Sequence, residues 1–393
     1  MDLFERCYEW KDWKVAQQFG YYPYFTPIES EAGPEVVIDG EPRIMLGSNN
    51  YMGLTNHPEV KEAAARAVRD YGTGCTGSRF LNGTLDIHVD LEEALADWLG
   101  KEAALVFSTG FMVNQGVISS LVTREDVVLS DRLNHASIVE GCRLAMGETL
   151  KFKHDDMEDL ERLLDSAGER GKLIVADGVF SAEGTVADIG TILDLAEEYE
   201  ARVMIDEAHS LGVYGSEGRG ASEAQGHLDR VDLLMGTFSK SFGGVGGFVA
   251  GPLEVIMWIR HKARPMIFSA SLPPASVATA RKALDVIRAG DDLREALWEN
   301  SNRMRDGLVG LGYDIGGSTS QIIPLHVGDD MVCLKFWKSL YDAGVFTNAF
   351  IQPATPPGGA LIRTSYMPTH TEEMLDRALE LMGEVGRQTG VLS

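Results

Sequence analysis

Gly236-Thr237-Phe238-Ser239-Lys240-Ser241-Phe242-Gly243-Gly244 is the stretch around which the chain is read. Leu233-Leu234-Met235 precedes it and reads as a short buried strand. Lys240 therefore stands just past a strand end. Partial desolvation there makes an amine a better nucleophile toward an aldehyde. Thr237 and Ser239 offer hydroxyls for an anion, and Gly243, Gly244, Gly246 and Gly247 permit close backbone approach. Taken alone, the stretch reads more simply as an ordinary lysine in a Gly-rich turn, so its partners must come from elsewhere in the chain.

Outward from that lysine the same placement repeats. Val203-Met204-Ile205 is a strand ending at Asp206-Glu207-Ala208-His209, and Leu173 to Ala176 is a strand ending at Asp177. Val127-Val128-Leu129 leads to Asn134-His135-Ala136-Ser137. Ala103 to Phe107 turns through Ser108-Thr109-Gly110-Phe111 into a helix carrying Met112, Val113 and Val117. A strand, a glycine and a helix N-terminus aim free N–H groups and the positive dipole end at an anion. Gly247 to Gly251 reads as a strand leaving the site. The alternation predicts an α/β fold, an open and mostly parallel sheet covered by helices, with ligands beyond the carboxyl ends of the strands. One aspartate at a strand end is an ordinary turn residue or helix cap. Asp177, Asp206, His209 and Lys240 at matching ends of successive strands point to a site.

Around this large domain, set at 46–280, the sequence predicts an N-terminal arm over 1–45 and a smaller α+β domain over 281–393. The arm carries the aromatic cluster Tyr21-Tyr22-Pro23-Tyr24-Phe25. Asn49 and Asn50 follow a strand and either hydrogen-bond a ligand or cap a turn. A helix is expected with Asn56 as cap, Pro58 in its first turn and a stripe of Val60, Ala64, Ala67 and Val68. Gly72 to Thr84 is too polar for a core element and reads as a functional loop. The next helix has Ile87, Leu91, Leu95, Trp98 and Leu99 on one face and ends at Gly100. In the C-terminal part, Leu284, Ile287, Leu297 and Met304 mark helices and Gln321 to Val327 a strand. A capping box of Thr369 with Glu372 opens the last helix. Arg363, in the strand-like Leu361-Ile362-Arg363-Thr364-Ser365, is either a carboxylate clamp or a surface arginine.

Composition narrows the function classes. A net charge of -24, from 35 basic and 59 acidic residues, opposes binding to nucleic acid or to anionic lipid. No run of about 18 apolar residues predicts a membrane span. The first residues lack the apolar core of a signal peptide. Cys7, Cys75, Cys142 and Cys333 are widely spaced, form no metal-ligand pattern, and read as reduced thiols of a cytoplasmic protein.

A lysine, a strand-end aspartate, a phosphate-type turn, a flat histidine and an arginine together suit pyridoxal 5'-phosphate: its aldehyde needs an amine, and its ring nitrogen needs a carboxylate. Here the chain resembles the α-oxoamine synthases of aminotransferase fold type I. The resemblance runs from about residue 40 to 385. Its motifs are Ser48-Asn49-Asn50-Tyr51, Gly77-Ser78-Arg79, Asn134-His135-Ala136-Ser137, Asp206-Glu207-Ala208-His209-Ser210, Gly215 to Gly220, the Lys240 stretch, and Ile267-Phe268-Ser269-Ala270-Ser271-Leu272-Pro273-Pro274. The resemblance implies that Lys240 holds the cofactor and later moves protons, that Asp206 pairs with the ring nitrogen, and that His135 stacks on the ring. It implies that His209 meets the ring oxygen and that Ser181 lies near the cofactor. Gly110, Phe111, Thr237 and Ser239 would hold the phosphate, with Ser269 reaching it from a partner subunit. Asn49 and Arg363 would bind the amino-acid carboxylate in a homodimer with shared active sites. The implied reaction joins an amino acid to an acyl-CoA with loss of CoA and CO2. Phe238-Ser239 before the lysine, Ser241 after it and Pro353-Ala354-Thr355-Pro356 are similar to the bacterial sphingolipid-forming branch, which implies L-serine and a long-chain acyl-CoA, palmitoyl-CoA foremost. Glycine with acetyl-CoA is the alternative; an oxononanoate-forming enzyme or a non-catalytic partner subunit stands further off. Ile351 and Gln352 occupy the place where some enzymes of that branch carry an arginine that helps handle the serine carboxylate.

Overall fold

The six strands expected between residues 103 and 251, joined by an unexpected seventh, assemble into one sheet in a computed structural model that describes residues 2–393. Its spatial order is Ala103–Phe107, Gly247–Gly251, Leu233–Thr237, Arg202–Asp206, Gly171–Asp177, Asp126–Asp131, Glu148–Phe152. Only Gly247–Gly251 runs against the others, because it returns directly from the lysine turn beside Leu233–Thr237. The remaining neighbours pair in parallel, each joined through a crossover containing a helix or loop. Helices cover such a sheet on both faces, so its strands read as continuous apolar runs rather than alternating ones. Leu233–Thr237 and Gly247–Gly251 are buried at every position. Glu148–Phe152 is the exception. It forms the far edge, only Phe152 is fully buried, and its sequence ETLKF lacks the apolar run that marks the others.

The core under the site packs Leu105, Val128, Val175, Met204, Met235 and Val249 of the sheet against Val113, Val117 and Ile118 of the helix Gly110–Leu121. Each fully buried side chain of this size contributes about 1.5–3 kcal/mol relative to exposure. That packing holds the helix N-terminus, and hence Gly110, fixed against the strand ends.

The described residues divide into two compact units. One is Asn49–Trp298; the other joins the chain up to Ser48 with Glu299–Ser393. In the second unit, Ile322–Gly328, Ala360–Ser365 and Asn348–Phe350 form an antiparallel sheet, and Glu35–Ile38, Glu41–Met45 and Val345–Phe346 form another. The N-terminal stretch contributes two short helices, Glu5–Glu9 and Asp12–Gln18, with no fully buried residue. Among the described residues no helix is long and apolar enough to cross a membrane. All four cysteine thiols are free.

Two expected caps are displaced. Asn56 closes a short 3-10 turn, and the helix Pro58–Tyr71 starts after an extended His57 that makes no side-chain cap. At the C-terminal helix the Thr369–Glu372 box does not form. The His370 ring takes the Met367 N–H instead, and Thr371 caps by accepting from Met374 N. Val68 of the expected stripe faces outward, whereas Val60 and Ala67 are buried.

Candidate active site

His135, Asp177, Asp206 and Lys240 lie at or just after the carboxyl ends of four neighbouring strands. Asp177 and Asp206 close adjacent strands and sit directly opposite each other in the register. Both are buried. Asp177 is spent on the backbone: it accepts from His135 N at 2.9 Å, and its own N–H donates to Asn134 Oδ1 at 2.9 Å. Complete burial pushes the Asp177 carboxyl well up, and the neighbouring Asp206 charge adds to the push. The Asn134–Asp177 pair thereby locks the turn that delivers His135.

Asp206 Oδ1 accepts from Ala208 N at 2.9 Å, and Oδ2 accepts from Asn114 Nδ2 at 2.8 Å. Asn114 lies on the helix Gly110–Leu121 and is fully buried. Its Nδ2 also donates to Ser137 Oγ at 2.8 Å, while its Oδ1 is buried without a hydrogen-bond partner. Such an orphan costs roughly 1–3 kcal/mol. Ser137 Oγ lies 2.7 Å from His135 Nδ1, and Ser137 N donates to the same nitrogen at 3.2 Å. Burial pulls the His135 pKa down; the Asp206 charge opposes this and the Lys240 charge reinforces it. Neither Asn114 nor Ser137 carried a role in the sequence reading. Both look like ordinary helix residues, and only the fold brings Asn114 to Asp206 and Ser137.

The strand-to-helix turn at Gly110 forms as expected. Thr109 caps the helix Gly110–Leu121 by accepting from Met112 N. Thr237 closes the lysine strand, and its Oγ1 lies 2.9 Å from Ser239 Oγ and donates to Gly246 O at 3.0 Å. A Cβ at Gly110 would stand 2.6 Å from Thr237 Oγ1, so only glycine lets the helix N-terminus approach these hydroxyls. Phe111 meets the His135 ring edge-on, with centroids 6.4 Å apart. Helix N–H groups, two hydroxyls and a missing side chain suit a phosphate dianion.

His209 is held from behind. The Tyr51 hydroxyl, fully buried, lies 2.7 Å from His209 Nδ1 and 3.1 Å from Asn49 Oδ1. Asn49 and His209, distant in sequence, are thus linked through one phenol. Lys240 is half-buried in the turn after the strand, where Gly243 N donates to its carbonyl at 2.9 Å. Ser181 lies at the tip of a tight hairpin after Asp177, closed by the Val179–Val186 bridge and by Phe180 N donating to Thr185 O. Ser269 is half-buried and precedes Ala270, whose carbonyl accepts from Ser108 Oγ at 2.5 Å. Arg363 belongs to the other unit. There it lies mid-strand opposite Pro324 and Asn348 and is 3% exposed, so it is not a surface arginine.

In the polar loop Gly72 to Thr84, Arg79 forms a buried two-pronged ion pair with Glu92 at 2.8 and 2.9 Å, and Glu92 also accepts from Val106 N. That arginine anchors the loop to the first strand of the sheet.

Comparison with known proteins places this geometry. The aminotransferase class I and II family model matches residues 41–382. The chain belongs to that family and, within it, to the α-oxoamine synthases; its fold is that of the type I pyridoxal-phosphate-dependent transferases. It is 47% identical to the serine palmitoyltransferase of Sphingobacterium spiritivorum, over 95% of this chain and 94% of that one. It is 42% identical to the 8-amino-7-oxononanoate synthase of Thermoanaerobacter pseudethanolicus, over 95% of each. A solved serine palmitoyltransferase from S. paucimobilis, with a bound PLP–myriocin aldimine, matches it with a TM-score of 0.96 and 38% identity, covering 100% of both chains.

Proposed function

We propose that the protein is a serine palmitoyltransferase, joining L-serine to palmitoyl-CoA with release of CoA and CO2 to form 3-ketodihydrosphingosine. The likeness to serine palmitoyltransferases supports the choice of substrates, and one observation supports the cofactor: Gly110, Thr237 and Ser239 meet on the same strand-end edge as Asp206, His135 and Lys240, an arrangement that suits a phosphate beside an amine. That donor set fits pyridoxal phosphate, with an anion seat, a carboxylate for a ring N–H, a flat ring to stack and an amine. Bound there, the cofactor supplies an aldehyde for amino groups and a protonated ring that withdraws electrons from the substrate α-carbon.

The chain's own groups do the rest. Helix N–H groups at Gly110 and Phe111, with the Thr237 and Ser239 hydroxyls, hold the phosphate. Asp206 accepts the ring N–H and keeps that proton in place. His135 covers one ring face. Lys240 Nζ takes the proton from the amino-acid α-carbon, and His209 donates a hydrogen bond to the ring oxygen. Asn49 and Arg363 bind the substrate carboxylate, and Ser181 flanks the cofactor. Ser269 completes the phosphate seat of a partner subunit in a cytoplasmic homodimer. Oriented groups of this kind carry rate through proximity and charge stabilisation. The experiment is CoA release by purified protein given L-serine, glycine or L-alanine with palmitoyl-CoA or acetyl-CoA. Serine with palmitoyl-CoA is the expected best pair. Release with glycine and acetyl-CoA, and none with serine and the long-chain donor, overturns the choice of substrates.

A further inference from the structure

We propose that Asn114 is a positioning residue that sets two groups at once, holding Asp206 as an acceptor and, through Ser137, holding His135 as a neutral imidazole with its proton on Nε2. The role toward the cofactor rests on the functional reading above; the hydrogen-bond logic does not.

The orientation of the amide follows from what it touches. Nδ2 lies 2.8 Å from Asp206 Oδ2. Reversing the amide would set Oδ1 against a carboxylate oxygen, two acceptors in contact. Nδ2 has two protons, and the second goes to Ser137 Oγ at 2.8 Å. A serine oxygen that accepts there has its own proton to give, and His135 Nδ1 lies 2.7 Å away. Ser137 N also points at that nitrogen, and a backbone N–H can only donate. His135 Nδ1 therefore faces two donors and must present its lone pair. A proton on Nδ1 would break both contacts.

The charged groups around this ring are Asp206 and Lys240, and Asp177 takes the His135 backbone N–H. Asp206 alone would favour an imidazolium. The Asn114 amide counters it by occupying the Asp206 oxygen and turning Ser137 into a donor toward the ring. The result suits a stacked, protonated pyridine: a neutral ring on its face and an anionic acceptor at its nitrogen. An imidazolium against that face would repel it. The buried Oδ1 without a partner is the trace of this assignment, since the amide is committed through its nitrogen alone.

The test is nitrogen-15 NMR of histidine-labelled full-length protein, with and without added pyridoxal phosphate. Without the cofactor, wild-type His135 is expected as the Nε2–H tautomer and neutral at pH 7. Ser137→Ala removes the hydroxyl donor, and Asn114→Leu frees Ser137 to accept from a protonated ring. Each should raise the His135 titration midpoint by about one pH unit, the worth of one hydrogen bond. Ser137→Thr keeps the hydroxyl and should restore the wild-type midpoint. The proposal is overturned if wild-type His135 carries its proton on Nδ1. It is equally overturned if a folded Ser137→Ala protein titrates as wild type, whether or not Asn114→Leu folds. Absence of a pyridoxal absorption band with these histidine results intact would overturn the functional reading and leave the Asn114 relay standing.

Discussion

Asp206 and Glu207 are neighbours in the chain, both buried, and they serve opposite ends. Glu207 accepts from Ala221 N and Ser222 N at 2.8 Å each and from the hydroxyls of Ser210 and Ser222. An ionised carboxylate has about four acceptor sites, so these donors fill it. Burial pushes its pKa up, and the four donors pull against that push. Glu207 rivets the loop after the strand to the turn that opens at Ala221. Asp206 accepts from Asn114 and Ala208 N, and its register partner is another carboxylate. With two donors against the four at Glu207, it keeps acceptor capacity for a further N–H. Burial alone therefore does not mark a functional acid; the inventory of its partners does.

Exchanging each acid for its amide should separate the two roles. Asp206→Asn keeps the shape but offers a weaker acceptor to a ring N–H. A fall of roughly 10³-fold in kcat/KM is expected, in the range of a lost electrostatic partner at a reacting centre. A loss under tenfold would remove Asp206 from the cofactor. The next effect belongs to the other unit, where His370 is an imidazole rivet. Its Nδ1 accepts from Met367 N and its Nε2 meets Met45 O, both at 3.0 Å, and burial pulls its pKa down to about 4. Unfolded chain binds this proton near pH 6.5, folded chain only near 4. The folded state therefore has its full advantage above about 6.5 and loses it as pH falls toward 4, about 3 kcal/mol in all. Urea unfolding at pH 7 and pH 4 should show wild type losing that much more than His370→Gln. Equal losses would mean that the ring titrates freely. Glu207→Gln comes third. It loses charge-assisted bonds worth about 2 kcal/mol of stability, while kcat stays within twofold. A large loss of kcat without a loss of stability would erase the distinction from Asp206.

The strand-end residues were legible because parallel strands buried on both faces write themselves as apolar runs, and Asp177, Asp206 and Thr237 follow such runs directly. Glu148–Phe152 was not legible, since an edge strand needs only Phe152 inside. The caps failed where spacing was ambiguous: Thr369 and Thr371 both precede an acidic pair, and the His370 ring decides between them. Asn114 and Ser137 were hidden for another reason. Their meaning is a contact from Asn114, on the helix Gly110–Leu121, to the first turn of a later helix and to a later strand end, 23 and 92 residues away in sequence. No local pattern encodes such a meeting. Arg363 was undecided until its strand was seen to be interior.

Tyr51 extends the contrast to the smallest effect. A phenol has one proton, and here it stands between His209 Nδ1 and Asn49 Oδ1. If it is given to Asn49, His209 must bring its own proton to Nδ1 and present a lone pair at Nε2. If it is given to His209, Nε2 keeps the proton and can donate. The amide proposed to bind the substrate carboxylate is thus tied to the tautomer of a histidine proposed to meet the ring oxygen. Tyr51→Phe keeps the ring packing, with centroids 5.9 Å apart, and removes only the link. A lost neutral hydrogen bond is worth about 1 kcal/mol, or roughly fivefold in kcat/KM. The loss should fall on the amino acid rather than on the acyl-CoA, because Asn49 is the coupled group. A change confined to the acyl-CoA KM would place Tyr51 on the thioester side and make its hydroxyl a rivet of the Glu207 kind.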